Sequence, residues 1–288
     1  MKIKESELIL NSDGSIYHIN LKPGQVAKTI ILVGDQNRVE KVSKHFDTIE
    51  FSIQKREFKT CTGTYKGKRI TVVSTGIGPD NIDIVLNEID ALFNIDLNTK
   101  QPKTELTSLN FIRIGTSGAI QADIPIDSFV LGSHGLDLNG MLHAYQIKTI
   151  NNPEIEAAFS KYVNWSTDKA NPLIIDNGKD LEKRLESSLT HKGITATTGG
   201  FYGPQGRVLR LPIQDTYFNN KLNTFNFKGL RIVNFEMETS AIYGLSKLLK
   251  HQAVSLNAII ANRALGTFSK NPYKTIDNLI AYTLNKLA

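Results

Sequence analysis

Arginines close to glycine and hydroxyl side chains at the ends of apolar runs are the first residues here that could do chemistry. Gly34 directly follows the apolar run 29–33, and Arg38 comes four residues later. Glycine lets backbone N–H groups approach an anion, and arginine can add two parallel hydrogen bonds. Arg113 lies inside another apolar run, which Gly115 and Thr116 follow. Because a buried charge needs a partner, Arg113 predicts a bound anion, unless it forms a salt bridge or faces water from an edge strand.

A short segment farther along the chain joins an aromatic ring to two polar side chains. Phe201 supplies a flat apolar surface, and Gln205 and Arg207 follow it within six residues. Gln205 can donate and accept hydrogen bonds, whereas Arg207 only donates. This set suits the face and the polar edge of a uracil ring. A surface loop with incidental polar residues is the alternative interpretation.

The segment 234–240 carries acidic residues before an apolar helical pattern. Met237 and Glu238 could form a sugar pocket, with the thioether under the ribose and the carboxylate accepting from its hydroxyls. The alternative is that the acidic side chains stabilise the positive N-terminal end of a helix.

The elements that must position these residues follow from the apolar pattern. Strands covered on both faces are indicated by β-branched apolar runs at 29–33, 70–74, 111–114, 129–131, 194–197 and 258–261. Helices with one buried face are indicated at 82–93, at 237–249 and from Pro272 to the end. The alternation predicts an α/β fold, a mixed central sheet flanked by helices. We expect a single domain over residues 1–288, with a polar excursion at about 94–110.

Composition bounds the partners and the cellular location. The net charge of +6, from 34 basic and 28 acidic residues, is spread along the chain and suits a small anion better than a nucleic acid. Cys61 is the one cysteine, so no intramolecular disulfide and no multi-cysteine metal site can form, and we expect an inert strand residue. No apolar run approaches the roughly 20 residues of a membrane span, and the N-terminus lacks an apolar signal core. We therefore expect a cytoplasmic protein without membrane partners.

Taken together, these motifs resemble the uridine phosphorylase branch of the nucleoside phosphorylase family. The similarity runs from about Tyr17 to Arg263 and follows the family's order. It is carried by five segments, namely 34–41 (Gly-Asp through Arg-Val-Glu-Lys), 56–58 (Arg-Glu-Phe), 74–78 (Ser-Thr-Gly-Ile-Gly), 113–116 (Arg-Ile-Gly-Thr) and 235–238 (Phe-Glu-Met-Glu). The resemblance implies the nucleoside phosphorylase/hydrolase-like fold.

The resemblance also implies roles for individual residues. The phosphate site would comprise Gly34, Arg38, Arg113, Thr116 and, from a neighbouring subunit, Arg56. The ribose site would comprise Met237, Glu238 and, across the same interface, His18. The base site would comprise Phe201, Gln205 and Arg207. Arg113, Gln205 and Arg207 would carry the catalytic step.

The implied reaction is phosphorolysis of a pyrimidine nucleoside such as uridine, giving free base and ribose 1-phosphate. Asn262 and Arg263 stand where purine-cleaving relatives carry Ser-Asp, which favours a pyrimidine. Inorganic phosphate would be a co-substrate, with no organic cofactor, and a potassium ion is implied near Glu57 and Ser74. The smallest complete enzyme would be a homodimer, with a hexamer (a trimer of dimers) as a larger assembly. The alternatives are a purine nucleoside phosphorylase, a nucleosidase, or a catalytically silent nucleoside-binding protein.

Overall fold

The apolar runs form strands of one mixed sheet in a computed structural model, which describes residues 2–288. The strands are β1 (Thr29–Val33), β2 (Thr48–Lys55), β3 (Phe58–Tyr65), β4 (Lys68–Ser74), β5 (Ile95–Asp96), β6 (Gln101–Pro102), β7 (Asn110–Ala119), β8 (Phe129–Asp137), β9 (Leu173–Asp176), β10 (Thr190–Thr197), β11 (Asn226–Phe227), β12 (Leu230–Glu236), β13 (Gln252–Asn262) and β14 (Thr267–Phe268). The helices are α1 (Gln36–Ser43), α2 (Pro79–Asn94), α3 (Pro153–Val163), α4 (Lys179–Leu185), α5 (Phe218–Thr224), α6 (Thr239–Leu248) and α7 (Pro272–Leu287).

The central sheet mixes parallel and antiparallel pairs. Its strands follow the order β11-β12-β10-β8-β13-β7-β1-β4-β3-β2, with β5 and β6 in a separate hairpin. An additional pairing of β12 with β7 joins strands that lie apart in this order, so five strands close into a ring. The mixed α/β fold predicted from the sequence is confirmed.

Both faces of the sheet are buried, as the apolar runs indicated. Along β1, Ile30 and Leu32 pack in one core with residues of α2 and α6. Ile31 and Val33 point the other way and pack in a second core with residues of α1 and α7. Successive side chains of a strand point to opposite faces, so this alternation places helices on both sides of the sheet.

The parallel strands bring the chemically interesting segments to one edge. β1 pairs in parallel with both β4 and β7, and β7 pairs in parallel with β13. β10 and β12 are parallel to each other. The carboxyl ends of parallel strands meet at the same edge of a sheet, which is where open α/β sheets bind ligands.

The helices differ from the sequence prediction in one place. α2 and α7 occupy the predicted ranges, and Ile82, Val85 and Ile89 lie on the buried face of α2. The helical face predicted to begin at Met237 is wrong at its start, because α6 begins at Thr239. The side chain of Glu236 accepts hydrogen bonds from the N–H groups of Glu238, just before α6, and of Thr239, its first residue, and so caps the helix there.

The polar excursion at 94–110 is tied to the rest of the molecule. It contains the short β5–β6 hairpin, and Asn94 Oδ1 accepts a hydrogen bond from the backbone N–H of Thr107 at 2.7 Å. The carbonyl of Lys100 accepts one from the N–H of Ile3 at 2.8 Å. Across residues 2–288, the structure contains no helix with the length and apolar character that crossing a bilayer requires.

Candidate active site

Arg113 lies at the centre of a buried group of charges at the carboxyl edge of the sheet. It is on β7, is 5% exposed, and donates a hydrogen bond through Nη2 to the carboxylate of Glu238. Its Nε is 3.4 Å from Oε2 of Glu236. The salt bridge considered as an alternative for Arg113 therefore exists, and its partner is the carboxylate predicted to bind ribose. Nε and Nη1 of Arg113 have no hydrogen-bond partner, and unpartnered buried donors favour one more acceptor at this point.

The two glutamates have different tasks. Glu236 accepts hydrogen bonds from the Thr197 hydroxyl at 2.7 Å and from the N–H groups of Glu238 and Thr239 at 2.9 and 3.0 Å. The capping alternative thus applies to Glu236, which stabilises the start of α6. Glu238 instead accepts from the Gly78 N–H at 2.8 Å and pairs with Arg113. Burial raises the pKa of Glu238, and the positive charge of Arg113 opposes that rise.

A second guanidinium lies near Arg113. Arg38 is on α1, whose first turn is capped by Asp35, and Arg38 Nη1 donates to the Ile114 carbonyl at 3.2 Å. Burial and the positive charge of Arg113 both lower the pKa of Arg38. Two cations that oppose each other in a partly buried place are stabilised by an anion that both can contact.

Gly34 and Thr116 lie at the same edge. A side chain on Gly34 would place its Cβ 3.4 Å from the carbonyl of Gly76, so the segments after β1 and β4 approach closely. Thr116 is half-buried and comes three residues after Arg113 on β7. Glu236 and Gly78 also belong to this cluster, although neither was predicted from the sequence as a site residue.

The structure also brings together the three residues predicted to bind the base. Arg207 Nη1 donates to Gln205 Oε1 and to the Phe201 carbonyl, both at 2.6 Å. The Arg207 guanidinium carbon lies 3.8 Å from the centre of the Phe201 ring. Gln205 is 1% exposed, and its Nε2 lies 3.5 Å from the Glu236 carbonyl. This contact joins the three base residues, which we call the base cluster, to the charged cluster around Arg113.

Arg263 is a member of the base cluster that the sequence analysis did not assign. Its Nη2 donates to the backbone carbonyl of Gln205, and its Nη1 is buried without a hydrogen-bond partner. Burial lowers its pKa to about 10, and the nearby charge of Arg207 acts in the same direction. The signal was present in the sequence, because Arg263 follows an apolar run just as Arg113 occupies one.

His18 and Arg56 both contact the ring of Tyr17 at the surface. The Tyr17 ring is 4.8 Å from the His18 ring, and the Arg56 guanidinium carbon is 5.8 Å from the centre of the Tyr17 ring. We call these three residues, with Lys55, the Tyr17 patch. Within residues 2–288, His18 and Arg56 form no hydrogen bond or ion pair with Arg113 or Glu238. The predicted site residues of one protomer are therefore not all joined by direct hydrogen bonds or ion pairs.

The comparisons with known proteins agree with this geometry. The family model described as the Phosphorylase superfamily matches residues 28–280, most of the chain. The chain belongs to the Phosphorylase superfamily.

Characterised relatives and solved structures extend this result. The chain is 31% identical to a uridine phosphorylase of Thermococcus kodakarensis over 271 residues, 93% of this chain and 85% of that one. It is 24% identical to a DeoD-type purine nucleoside phosphorylase of Listeria welshimeri over 93% of this chain and 97% of that one. It also resembles a Trypanosoma brucei nucleoside phosphorylase described as showing uridine phosphorylase activity, with a TM-score of 0.85, 27% identity, and coverage of 96% of this chain and 99% of that chain.

The side chain of Asn262, at the position that favours a pyrimidine, forms hydrogen bonds with the backbone. Its Nδ2 donates to the carbonyls of Gln121 and Ile124 at 2.9 and 2.8 Å, and its Oδ1 accepts from the N–H of Leu265 at 3.0 Å. The side chain is buried, and its amide groups bind the backbone. Asn262 therefore offers no acid to a base, whereas the adjacent Arg263 adds a positive charge.

Glu57 and Ser74, the residues implied for a cation, lie beside this edge of the superfamily fold. The Ser74 hydroxyl is buried, donates to the Glu57 carbonyl at 2.6 Å, and accepts from the Lys59 N–H at 2.7 Å. The Glu57 side chain lies against Gly76, because a Cβ added there would be 3.2 Å from Glu57 Cγ. Carboxylate, carbonyl and hydroxyl oxygens are ligands that a hard cation accepts.

Proposed function

We propose that the protein cleaves a pyrimidine nucleoside such as uridine with inorganic phosphate, giving free base and ribose 1-phosphate. This would make it a pentosyltransferase acting as a single domain over residues 1–288. The observation that carries the proposal is the position of Arg113, which binds Glu238, has two unpartnered nitrogens and lies near a second arginine. The Thermococcus kodakarensis relative, whose name states uridine phosphorylase activity, supports the choice of substrate.

Phosphate would bind between the guanidinium groups of Arg38 and Arg113, with Gly34 and Thr116 beside them. Arg56 of a neighbouring protomer would add a third guanidinium. The bound dianion would lie beneath C1′ of the nucleoside and stabilise the positive charge that develops on the sugar. A phosphate oxygen would then form the bond to C1′ on the face opposite the departing base, which inverts the anomeric centre. Fixed charges and positioning supply most of the rate in such a mechanism.

Glu238 would bind the ribose hydroxyls, and Met237 would lie against the sugar ring. Glu238 is already held by Arg113 and by the Gly78 N–H, so it would need little reorganisation when the sugar arrives. An ionised carboxylate is an acceptor only, which suits hydroxyl donors. Arg113 would therefore contact both the phosphate and the carboxylate that orients the sugar.

Gln205 and Arg207 would bind the carbonyl and N3 edge of the base, and Phe201 would form a wall of its pocket. When the C1′–N1 bond breaks, its electron pair leaves with the base, and negative charge develops on the ring. Arg207 and Arg263 supply positive charge at this cluster. Their mutual repulsion in the ligand-free protein would be relieved by that developing negative charge.

We propose a homodimer at least, because within residues 2–288 of one protomer the side chains of Arg56 and His18 make no hydrogen bond or ion pair with Arg113 or Glu238. A hexamer of three dimers is the larger assembly that we propose. A potassium ion would bind near Glu57 and Ser74, and the enzyme would act in the cytoplasm, without nucleic-acid or membrane partners. We propose no organic cofactor.

Phosphate-dependent release of base from a panel of nucleosides tests this function. We expect uracil from uridine only when phosphate is present, with ribose 1-phosphate as the second product. Release of base without phosphate would instead identify a nucleosidase. The Listeria welshimeri relative makes a purine nucleoside phosphorylase the second candidate, and a preference for inosine would establish it. Calorimetric binding of nucleoside without turnover would identify a silent binding protein.

A further inference from the structure

Glu88 holds His18 from a helix that also begins at the charged cluster. The residue lies on α2, and its side chain is 15% exposed. The Gly78 N–H, just before this helix, donates to Glu238. Ten residues of α-helix span about 15 Å, so a single rigid element joins the site of one protomer to its own Tyr17 patch.

The carboxylate of Glu88 accepts hydrogen bonds from three donors of the N-terminal segment. Oε1 lies 2.5 Å from the ring Nδ1 of His18, and Oε2 accepts from the backbone N–H groups of His18 and Ile19 at 3.1 and 2.9 Å. Both carboxylate oxygens are therefore occupied. Because an ionised carboxylate cannot donate, the Nδ1 atom must carry the proton in this contact.

We propose that Glu88 is a positioning residue, which fixes the imidazole of His18 with Nδ1 protonated and so presents Nε2 as a hydrogen-bond acceptor to the ribose of the neighbouring protomer. The inference rests on the proposed function, since it assigns His18 to that neighbour's site. In a neutral imidazole with Nδ1 protonated, Nε2 can only accept. A sugar hydroxyl can donate or accept, and with this tautomer it donates to Nε2; with the proton on Nε2 that hydrogen bond would be lost.

The surroundings of His18 restrict its ring further. The Tyr17 ring meets the His18 ring edge-on, with the two planes at 82°. The Tyr17 carbonyl accepts a hydrogen bond from Lys55 Nζ at 2.5 Å, which fixes the backbone just before His18. Ile19, just after it, is fully buried. Glu88 thus sets the direction and the protonated nitrogen of a ring whose backbone is already held.

The Glu88→Gln variant tests whether Glu88 sets the tautomer of His18 or only holds the backbone of His18 and Ile19. The amide oxygen of the glutamine can still accept from the two backbone N–H groups, but its NH₂ group would then face Nδ1 of His18. A donor at that position requires Nδ1 to accept, so the proton would move to Nε2. The variant keeps the shape and the backbone contacts and reverses the tautomer.

The experiment combines ring ¹⁵N spectra of the full-length protein with steady-state kinetics of phosphorolysis. His18→Ala identifies the His18 resonances. We expect protonated Nδ1 in the wild type and protonated Nε2 in Glu88→Gln. We also expect kcat/KM for uridine to fall about tenfold in Glu88→Gln, chiefly through KM, as for loss of one hydrogen bond. In a His18→Ala background, Glu88→Gln should have no further effect.

Asp90→Asn is the matched control, because Asp90 also lies on α2 and also pairs with a histidine, at 3.2 Å from His251 Nε2. We expect this variant to leave KM unchanged. An unchanged His18 tautomer in Glu88→Gln, or a loss that persists in the His18→Ala background, would overturn the positioning role. Failure of the proposed function is a separate result: the wild type would release no base with phosphate, while the spectra would still report the tautomer.

Discussion

The charged cluster around Arg113 and the Tyr17 patch contrast in how complete they are within one chain. Arg113 is 5% exposed and already paired with Glu238. His18 and Arg56 lie at the surface, and their ring Nε2 and guanidinium point to no acceptor of their own protomer among residues 2–288. The first region is organised by folding, whereas the second, in the function that we propose, completes the site of a second copy of the chain.

The two regions also differ in which unfavourable energy they contain. In the charged cluster two like charges are partly buried close together, and this lowers the pKa of Arg38 beside Arg113. In the Tyr17 patch the cost lies in the backbone, because Arg56 has a φ of 55°, in the left-handed region that favours glycine. Lys66 and Lys228 adopt a left-handed φ in other hairpin turns, so the strain at Arg56 becomes an argument for function only if its side chain proves to be needed.

The largest effect is expected when the cluster loses its central cation. Arg113→Ala removes a donor to the phosphate, and loss of one donor to developing charge costs about 2.7–4 kcal/mol, or 10²–10³ in rate. We expect at least that loss in kcat/KM for phosphorolysis. The measurement is steady-state phosphorolysis together with thermal unfolding, because Glu238 is left buried without its partner.

Arg113→Lys and Arg231→Ala sharpen the result for Arg113. The lysine keeps the charge but cannot form two parallel hydrogen bonds, so a large loss is expected in a folded protein. Arg231 pairs with Asp123 at the surface at 2.9 Å, and its removal should leave activity unchanged. Near-normal turnover by folded Arg113→Ala would discard the proposed phosphate site.

Mixing two inactive variants tests whether the two regions meet across an interface. Arg113→Ala lacks a residue of the cluster, and Arg56→Ala lacks a residue of the Tyr17 patch. In a mixed dimer one site carries both substitutions and the other carries neither, since an interface with two-fold symmetry repeats the same contact twice. We expect activity to return after unfolding and refolding the two together, to about a quarter of the wild-type level at equal amounts.

Refolding each variant alone is the control for the mixed dimers. If the mixture were no more active than the separate variants, Arg56 would act within its own protomer or not at all. That outcome would remove the Tyr17 patch from the site and leave the cluster intact.

The sequence was most informative where a pattern has one physical meaning. Apolar runs on both faces predicted buried strands, and the glycine and arginine positions after them predicted a ligand-binding edge of the sheet, because strand ends converge there. The sequence could not tell that Arg113 would pair with Glu238, 125 residues away, since both interpretations of a buried arginine require an anion. Only the structure shows that Arg113 binds the Glu238 carboxylate and still has two nitrogens without a hydrogen-bond partner.

Glu236 and Arg263 were not predicted as site residues, for different reasons. Glu236 and Glu238 are two positions apart, and only the structure shows that the first caps α6 while the second binds Arg113. Arg263 was noticed only as part of a substitution for Ser-Asp, although it follows an apolar strand. Its contact with the Gln205 carbonyl depends on a loop whose course no local pattern specifies.

A smaller and selective effect is expected in the base cluster. Arg207→Ala removes the contact with Gln205 Oε1 and the stacking on Phe201. A hydrogen bond to a charged group contributes about 1.5–3 kcal/mol, so kcat/KM for uridine should fall on the order of tenfold to a hundredfold. Phosphate binding, measured separately, should be unaffected. Unchanged uridine turnover in a folded variant would show that the base binds elsewhere.

The smallest effect is expected on stability, at the turn that contains Arg56. Residues 56–57 form a two-residue turn between β2 and β3, and the comparable turns at 66–67 and 228–229 both contain glycine as their second residue. The turn at 56–57 has none, and Arg56 adopts the left-handed φ at its first position, where such turns favour glycine. We expect Arg56→Gly to lower phosphorolysis as much as Arg56→Ala does. Only the glycine variant should raise the free energy of unfolding, by about 1 kcal/mol, because it alone relieves the backbone strain.

Lys66→Gly is the matched control for that gain, since Lys66 has a φ of 48° in the next hairpin and lies outside the proposed site. It should show a comparable stabilisation in denaturant unfolding with unchanged turnover. If Arg56→Gly were no more stable than Arg56→Ala, the turn would not be strained. If it were more stable and fully active, the strain would exist without a functional reason, and the Tyr17 patch would lose its strongest local argument.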